Sequence, residues 1–247
     1  MKKAISILLS SILFFSTISV SAANTSFSDI KKHWAEETIV KWQDKGIVSG
    51  YPDGSFKPDN PVTRAELIKV LVKAFDLQEK FNRQYDYVDV DESAWYYPYL
   101  DYTSEYMVYN GPPRITFATE PYVNYANCFE WDQHFLPNNN ALRLHASLAM
   151  ARIKIKQKNL NIQIPEDIHE MQKYLNSKYN DIEFQSILSG FSPSRYGIPK
   201  NVKKEFEECW LVDNIKILEG TPDGYMWPYG ALTRAGLLTM IDRVIVE

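Results

Sequence analysis

Apolar residues recur along this chain at helical spacing, in short bursts separated by loops rich in proline and glycine. Ala35, Ile39 and Trp42 fall at i, i+4 and i+7, one face of a helix that Gly46 would stop. The period then breaks: Pro52 and Gly54 frame a β-turn, and Pro52, Pro58 and Pro61 within ten residues exclude helix. Leu67, Val70, Leu71, Ala74 and Phe75 resume an apolar stripe, so this region predicts helix, structured loop, helix. A further stripe runs through Ala146, Ala149, Met150 and Ile153. Pro165 opens an extra helix with Ile168, Met171, Leu175 and Tyr179 on its apolar side. Two last helices are predicted near Val202–Val212 (Val202, Phe206, Cys209) and through Leu237, Met240, Ile241, Val244 and Ile245.

The loop between the first two helices is written twice. Gly50 to Leu67 and Gly220 to Leu237 align without a gap and agree at nine of 18 positions, where average composition gives about one. A shift of 79 lays "FLPNNNALRLHA", Phe135 to Ala146, over "FKPDNPVTRAEL", keeping Phe, Pro and Arg in place. A shift of 61 sets Trp95 over Trp34 and Gly111 over Gly50, with 18 residues inserted between Gly111 and Phe135 relative to the first loop. Self-similarity of this kind fixes architecture before local propensity does. The predicted fold is mainly α, three helix-loop-helix repeats around a pseudo-threefold axis, with inserts in the second repeat and before the third. The boundaries are 27–75 for repeat 1, 87–155 for repeat 2, 156–201 for an inserted helix and loop, and 202–247 for repeat 3.

Lys2 and Lys3, the apolar run from Ala4 to Val20 and the small residues Ser21-Ala22-Ala23 predict a secretory signal peptide over residues 1–23, so the product is expected outside the cell. The formal net charge is −4, or −6 once the two lysines leave with the leader. That balance argues against nucleic acid, or an anionic membrane after cleavage, as a bulk partner. Cys128 and Cys209 are too few for a disulfide scaffold and wrongly spaced for zinc; one bridge and two buried thiols stay open. No cofactor or metal is expected. Asp89-Val-Asp91-Glu92 lacks the glycine and the twelfth-position acid of a calcium loop, and His33, His134, His145 and His169 have no ligand spacing. Glu130 and Asp132, in the insert, fit solvated acids better than a glycosidase pair, so no enzyme is expected. The ten tyrosines between Tyr85 and Tyr125 fit scaffold better than a sugar platform.

The motif with a mechanism is Thr63-Arg64-Ala65-Glu66. Thr63 and Glu66 form a capping box. Arg64 is left over, a fixed cationic fork beside the amides and positive dipole end of its helix, a pairing that suits a carboxylate or phosphate. Arginine is unfavourable in a first turn, yet it recurs at Arg143 and Arg234 while the cap partners drift to Leu142, His145 and Gly236.

"FSDIKKHWAEETIVKWQDKGIVSGYPDGSFKPDNPVTRAELIKVLVKAF" resembles an S-layer homology repeat, with an Asp before a His-Trp helix, a Gly-x-Pro-Asp-Gly turn and a Thr-Arg-Ala-Glu helix start. "DVDESAWYYPYL" resembles the opening of a second repeat and "GTPDGYMWPYGALTRAG" the close of a third. The resemblance implies a noncatalytic module at the cell wall or cell surface that binds peptidoglycan-linked secondary polysaccharide, often pyruvylated, in grooves between repeats. It implies that Arg64, Arg143 and Arg234 take the sugar carboxylate, that Trp34 and Trp95 flank the grooves, and that Gly50 and Gly220 let the backbone approach the sugar. Trp34 and Trp95 also fit core positions. The Pro-Asp-Gly turns read as structure. The middle repeat has lost Thr-x-Ala-Glu and the third lacks a His-Trp opening, so the groove built on the first repeat's residues is the one expected to bind. The alternative is an extracellular protein-protein or surface-layer assembly role with decayed grooves.

Overall fold

A computed structural model describes residues 27–80, 87–103, 106–107, 134–180 and 200–246. The leader, most of the tyrosine-rich stretch beyond Met107, and Cys128, Glu130 and Asp132 lie outside the described residues. Seven helices and no strands occur among them: α1 Glu36–Asp44, α2 Arg64–Ala74, α3 Tyr97–Thr103, α4 Arg143–Lys158, α5 Ile168–Lys178, α6 Lys200–Asn214 and α7 Arg234–Val246. The protein is mainly α.

The predicted stripes face inward. Ala35, Ile39 and Trp42 of the first helical region are buried, as are Leu67 and Leu71 of α2, Ala146, Ala149, Met150 and Ile153 of α4, and Leu237, Met240, Ile241 and Val244 of α7. They meet in one core that also takes Ile168, Met171, Leu175, Tyr179, Cys209 and Val212. Ile245, assigned to the α7 stripe by periodicity, is exposed instead. A smaller cluster seats Tyr96 and Leu100 of the α3 region on Ala65 and Ile68 of α2, against Phe135.

Three loops join at the centre. The Val62 amide donates to the Leu232 carbonyl, the Leu232 amide to Ala141 and the Ala141 amide to Val62, each at 2.8 Å. The ring closes on itself, and all three residues are buried. Every participant donates once and accepts once, so no backbone polar group is stranded at the apolar centre.

Each loop also supplies carbonyls for the start of a helix that follows a different loop. At α2, the Arg64 and Ala65 amides donate to Asn139 and Pro137 carbonyls (2.9 and 3.0 Å). At α4, Arg143 and Leu144 donate to Gly230 and Pro228 (3.0 and 2.8 Å). At α7, Arg234 and Ala235 donate to Asn60 and Pro58 (both 2.9 Å). Orphan helix amides are thereby satisfied from another part of the chain. The predicted capping box is present at α2, where Thr63 and Glu66 bond reciprocally. α4 has no side-chain cap at Leu142 and starts on these loop carbonyls instead.

The third loop is braced from farther upstream than residue 202. The Asn180 amide donates to the Gly224 carbonyl at 2.7 Å, as Ser28 donates to Gly54 at 3.1 Å. Tyr179 lies over Gly220 as Phe27 lies over Gly50. The end of the inserted helix thus does for the third loop what the start of the first region does for its own loop. Periodicity gave no sign of it, because residues 181–199 separate Tyr179 from α6.

Candidate functional site

The three arginines share a backbone position but differ in accessibility. Arg64 is only 4% exposed. Its Nε donates to the Phe135 carbonyl at 2.7 Å, and its guanidinium lies 5.2 Å from the Phe135 ring. Burial pulls its pKa down, while the nearby Tyr87 and Asp89 act the other way. Asp89 accepts from the Phe135 and Leu136 amides, both at 2.7 Å, so a carboxylate is built in close by. Arg143 is half-buried, and its Nη2 reaches the Glu219 and Met226 carbonyls at 3.5 and 3.4 Å.

Arg234, also half-buried, donates Nε to the Phe56 carbonyl at 2.8 Å and Nη2 to Ser49 at 3.0 Å. These use two of its five donors; among the described residues the others carry no hydrogen bond. Its guanidinium lies 4.4 Å from the Phe56 ring and 5.1 Å from Tyr51. Lys57 brings a second cation to the same tyrosine, 4.1 Å from its centroid. Two cations thus lie against one aromatic ring. Asp53 sits 3.6 Å from the Lys57 ammonium, on an exposed edge where screening weakens the pair. Beside Arg234 lies a cleft of about 20 Å³, which it lines together with Val48, Glu66, Val70 and Leu238. That is room for about one water, so a sugar would lie across this surface rather than inside it.

In all three cases the amides that the sequence pattern leaves beside the arginine are taken by loop carbonyls. Any anion affinity therefore comes from side chains. Trp34 and Trp95 are not core residues: they are 67% and 54% exposed, Trp34 beside His33 and Trp95 under the Lys69 ammonium at 5.4 Å. His33 in turn pairs with Asp59 of the first loop at 3.2 Å. A β-carbon on Gly50 would come within 2.3 Å of the Phe27 ring and 2.6 Å of the Ser55 carbonyl, and one on Gly220 within 2.5 Å of the Tyr179 ring. Internal packing alone demands both glycines. Sequence reasoning missed Tyr51, Lys57, Tyr225 and Trp227. The available signal was register: Lys57, Leu136 and Trp227 each precede the proline of their loop.

The protein is mainly α, its loops start one another's helices, and an arginine stands at each of those starts. The S-layer homology domain model matches residues 26–68, and the chain carries that domain. Over 76 residues it is 38% identical to Cell surface glycoprotein 1 of Acetivibrio thermocellus, covering 31% of this chain and 3% of that protein. Over 109 residues it is 30% identical to S-layer protein EA1 of Bacillus anthracis, covering 44% and 12%. Over 73 residues it is 30% identical to a Cellulosome-anchoring protein of A. thermocellus, covering 30% and 16%. The chain therefore spans from 3 to 16% of the length of these relatives.

Proposed function

We propose that this protein is a secreted, noncatalytic anchoring module of the cell surface that holds an acidic wall polysaccharide at Arg234. The observation that carries the reading is that Arg234 and Lys57 both lie beside the Tyr51 ring. A carboxylate on a sugar meets a fork of donors there, a second positive charge and an aromatic wall against which the ring can lie. Relatives named for the surface layer, the cell surface and cellulosome anchoring support the location.

In this reading Arg234 takes the carboxylate and Lys57 strengthens the local field. Trp34, on the loop side of α1, and Trp95 offer flanking contacts to a long polymer. Arg143 serves a second site. Arg64, enclosed on Phe135, works as a clasp, and Gly50 and Gly220 keep the loops close enough for the sites to form.

Co-sedimentation of the protein with purified wall sacculi tests this. Arg234→Ala is expected to raise the apparent Kd about 30-fold, the scale of a lost charge-assisted hydrogen-bonded contact. Stripping the acidic substituents from the polymer is expected to have the same effect, and the two losses are not expected to add. Undiminished sedimentation of Arg234→Ala with intact sacculi would overturn the assignment.

A further inference from the structure

Lys57, Leu136 and Trp227 have left-handed backbones, with φ of 57°, 56° and 52°. Such angles are uncommon outside glycine, so three in one register are a built feature of the loops. Each residue precedes the proline whose carbonyl starts the neighbouring helix. The position also lies beside that helix's arginine. Lys57 and Arg234 share Tyr51, while a β-carbon on Gly230 would touch both the Arg143 Cδ, at 3.4 Å, and the Trp227 Cβ, at 3.6 Å. Gly230 thus lies between the tryptophan and the arginine, within van der Waals reach of both.

At the Arg143 site the second cation is thus replaced by an indole. Trp227 is 55% exposed, and Tyr225, 36% exposed, lies 6.0 Å away ring to ring. Two neighbouring exposed aromatic rings give a flat apolar face beside polar groups. An uncharged pyranose ring fits it: the sugar's C–H face covers the indole, and its hydroxyls point outward to water and to the arginine. A carboxylate gains less here than at Arg234, since Trp227 stands where Lys57 stands there, and the Glu219 carboxylate nearby is already paired with Arg243 at 3.2 Å.

We infer that the left-handed residue of the first and third loops sets what the neighbouring arginine site accepts, and that Trp227 with Tyr225 makes the Arg143 site a stacking subsite for an uncharged sugar residue of the wall polymer. The inference rests on the glycan-binding reading above.

The experiment uses two probes, purified wall polysaccharide and the same polymer stripped of its acidic substituents, titrated into the ¹⁵N-labelled protein. The stripped polymer is expected to shift the Trp227 indole N–H signal, and Trp227→Lys, which copies the residue Lys57 already holds at this φ, is expected to weaken that binding about tenfold. Intact polymer should still require Arg234 in the Trp227→Lys protein. If the stripped polymer leaves the Trp227 signal in place, or binds Trp227→Lys equally well while intact polymer still requires Arg234, the subsite falls and the anchoring function stands. If neither polymer binds, both fall.

Discussion

Arg64 and Arg234 begin with the same local sequence, and burial separates their work. Arg64 has its Nε on Phe135 and its guanidinium enclosed, so Arg64→Ala removes a donor from a buried carbonyl along with the packing of the stem. We expect a loss of about 3 kcal/mol, roughly 6–12 °C in Tm for a protein of this size, and no rescue by Arg64→Lys, which lacks the fork. A Tm unchanged in thermal denaturation of Arg64→Ala would remove the clasp role. His145 carries a second consequence of that enclosure. Burial, and then the Arg64 charge, push its pKa down to about 4 from 6.5. The unfolded chain takes up the proton first as pH falls, so stability is complete above about 6.5 and drains away towards 4, by as much as about 3 kcal/mol. His145→Gln is expected to flatten that part of a denaturant-midpoint profile against pH; an unaltered slope would place its origin elsewhere.

Among the elements, the loops rather than the helices carry the specificity of the fold. Helix stripes were legible because burial follows the 3.6-residue period, and the Thr63–Glu66 box because it is a local contact. The starts of α4 and α7 on distant carbonyls were not, since nothing near Arg143 or Arg234 in sequence names Pro228 or Pro58. For the same reason the arginines could be picked out as candidates while their burial could not, and the left-handed Lys57 and Trp227 gave no glycine to announce them. Gly50 is the element-scale test of that packing. Its missing β-carbon leaves room for Phe27, and one of the contacts an alanine would make is with the Ser55 backbone, which cannot swing aside. Gly50→Ala is expected to cost about 2 kcal/mol in chemical denaturation; a neutral result would mean that the loop relaxes freely. The inserted α5 is held differently, by an aspartate. Burial raises the Asp213 pKa, but hydrogen bonds from Lys178 (2.5 Å), Tyr174 (2.6 Å) and Tyr179 outweigh it and hold the carboxyl below the usual range. Asp213→Ala strands these donors, and we expect a loss of about 3 kcal/mol together with faster proteolysis of the α5 segment, with Asp213→Asn in between.

At the scale of the molecule, the closed ring of Val62, Leu232 and Ala141 makes the three loops depend on one another. Residues 27–80 contain two good helices and most of the matched domain, yet they lack the acceptors for Val62, Arg64 and Ala65 and the carbonyl under the Arg64 guanidinium, all of which lie beyond residue 134. Cut out alone, that piece would expose Val62 and Ala65, together with the face of Ile68 that packs on Tyr96 and Phe135. At this size a core with one side open rarely outweighs the entropy of ordering the chain. The fragment is therefore expected to show little helical circular dichroism and no cooperative melt, while a chain including residues 27–246 melts in a single transition with coincident far- and near-ultraviolet signals. A cooperative melt of the isolated fragment would mean that the first repeat folds by itself. In that case the Arg234 site, built from Tyr51 and Lys57 on one side and the start of α7 on the other, would assemble by docking of folded units rather than in the folding step itself.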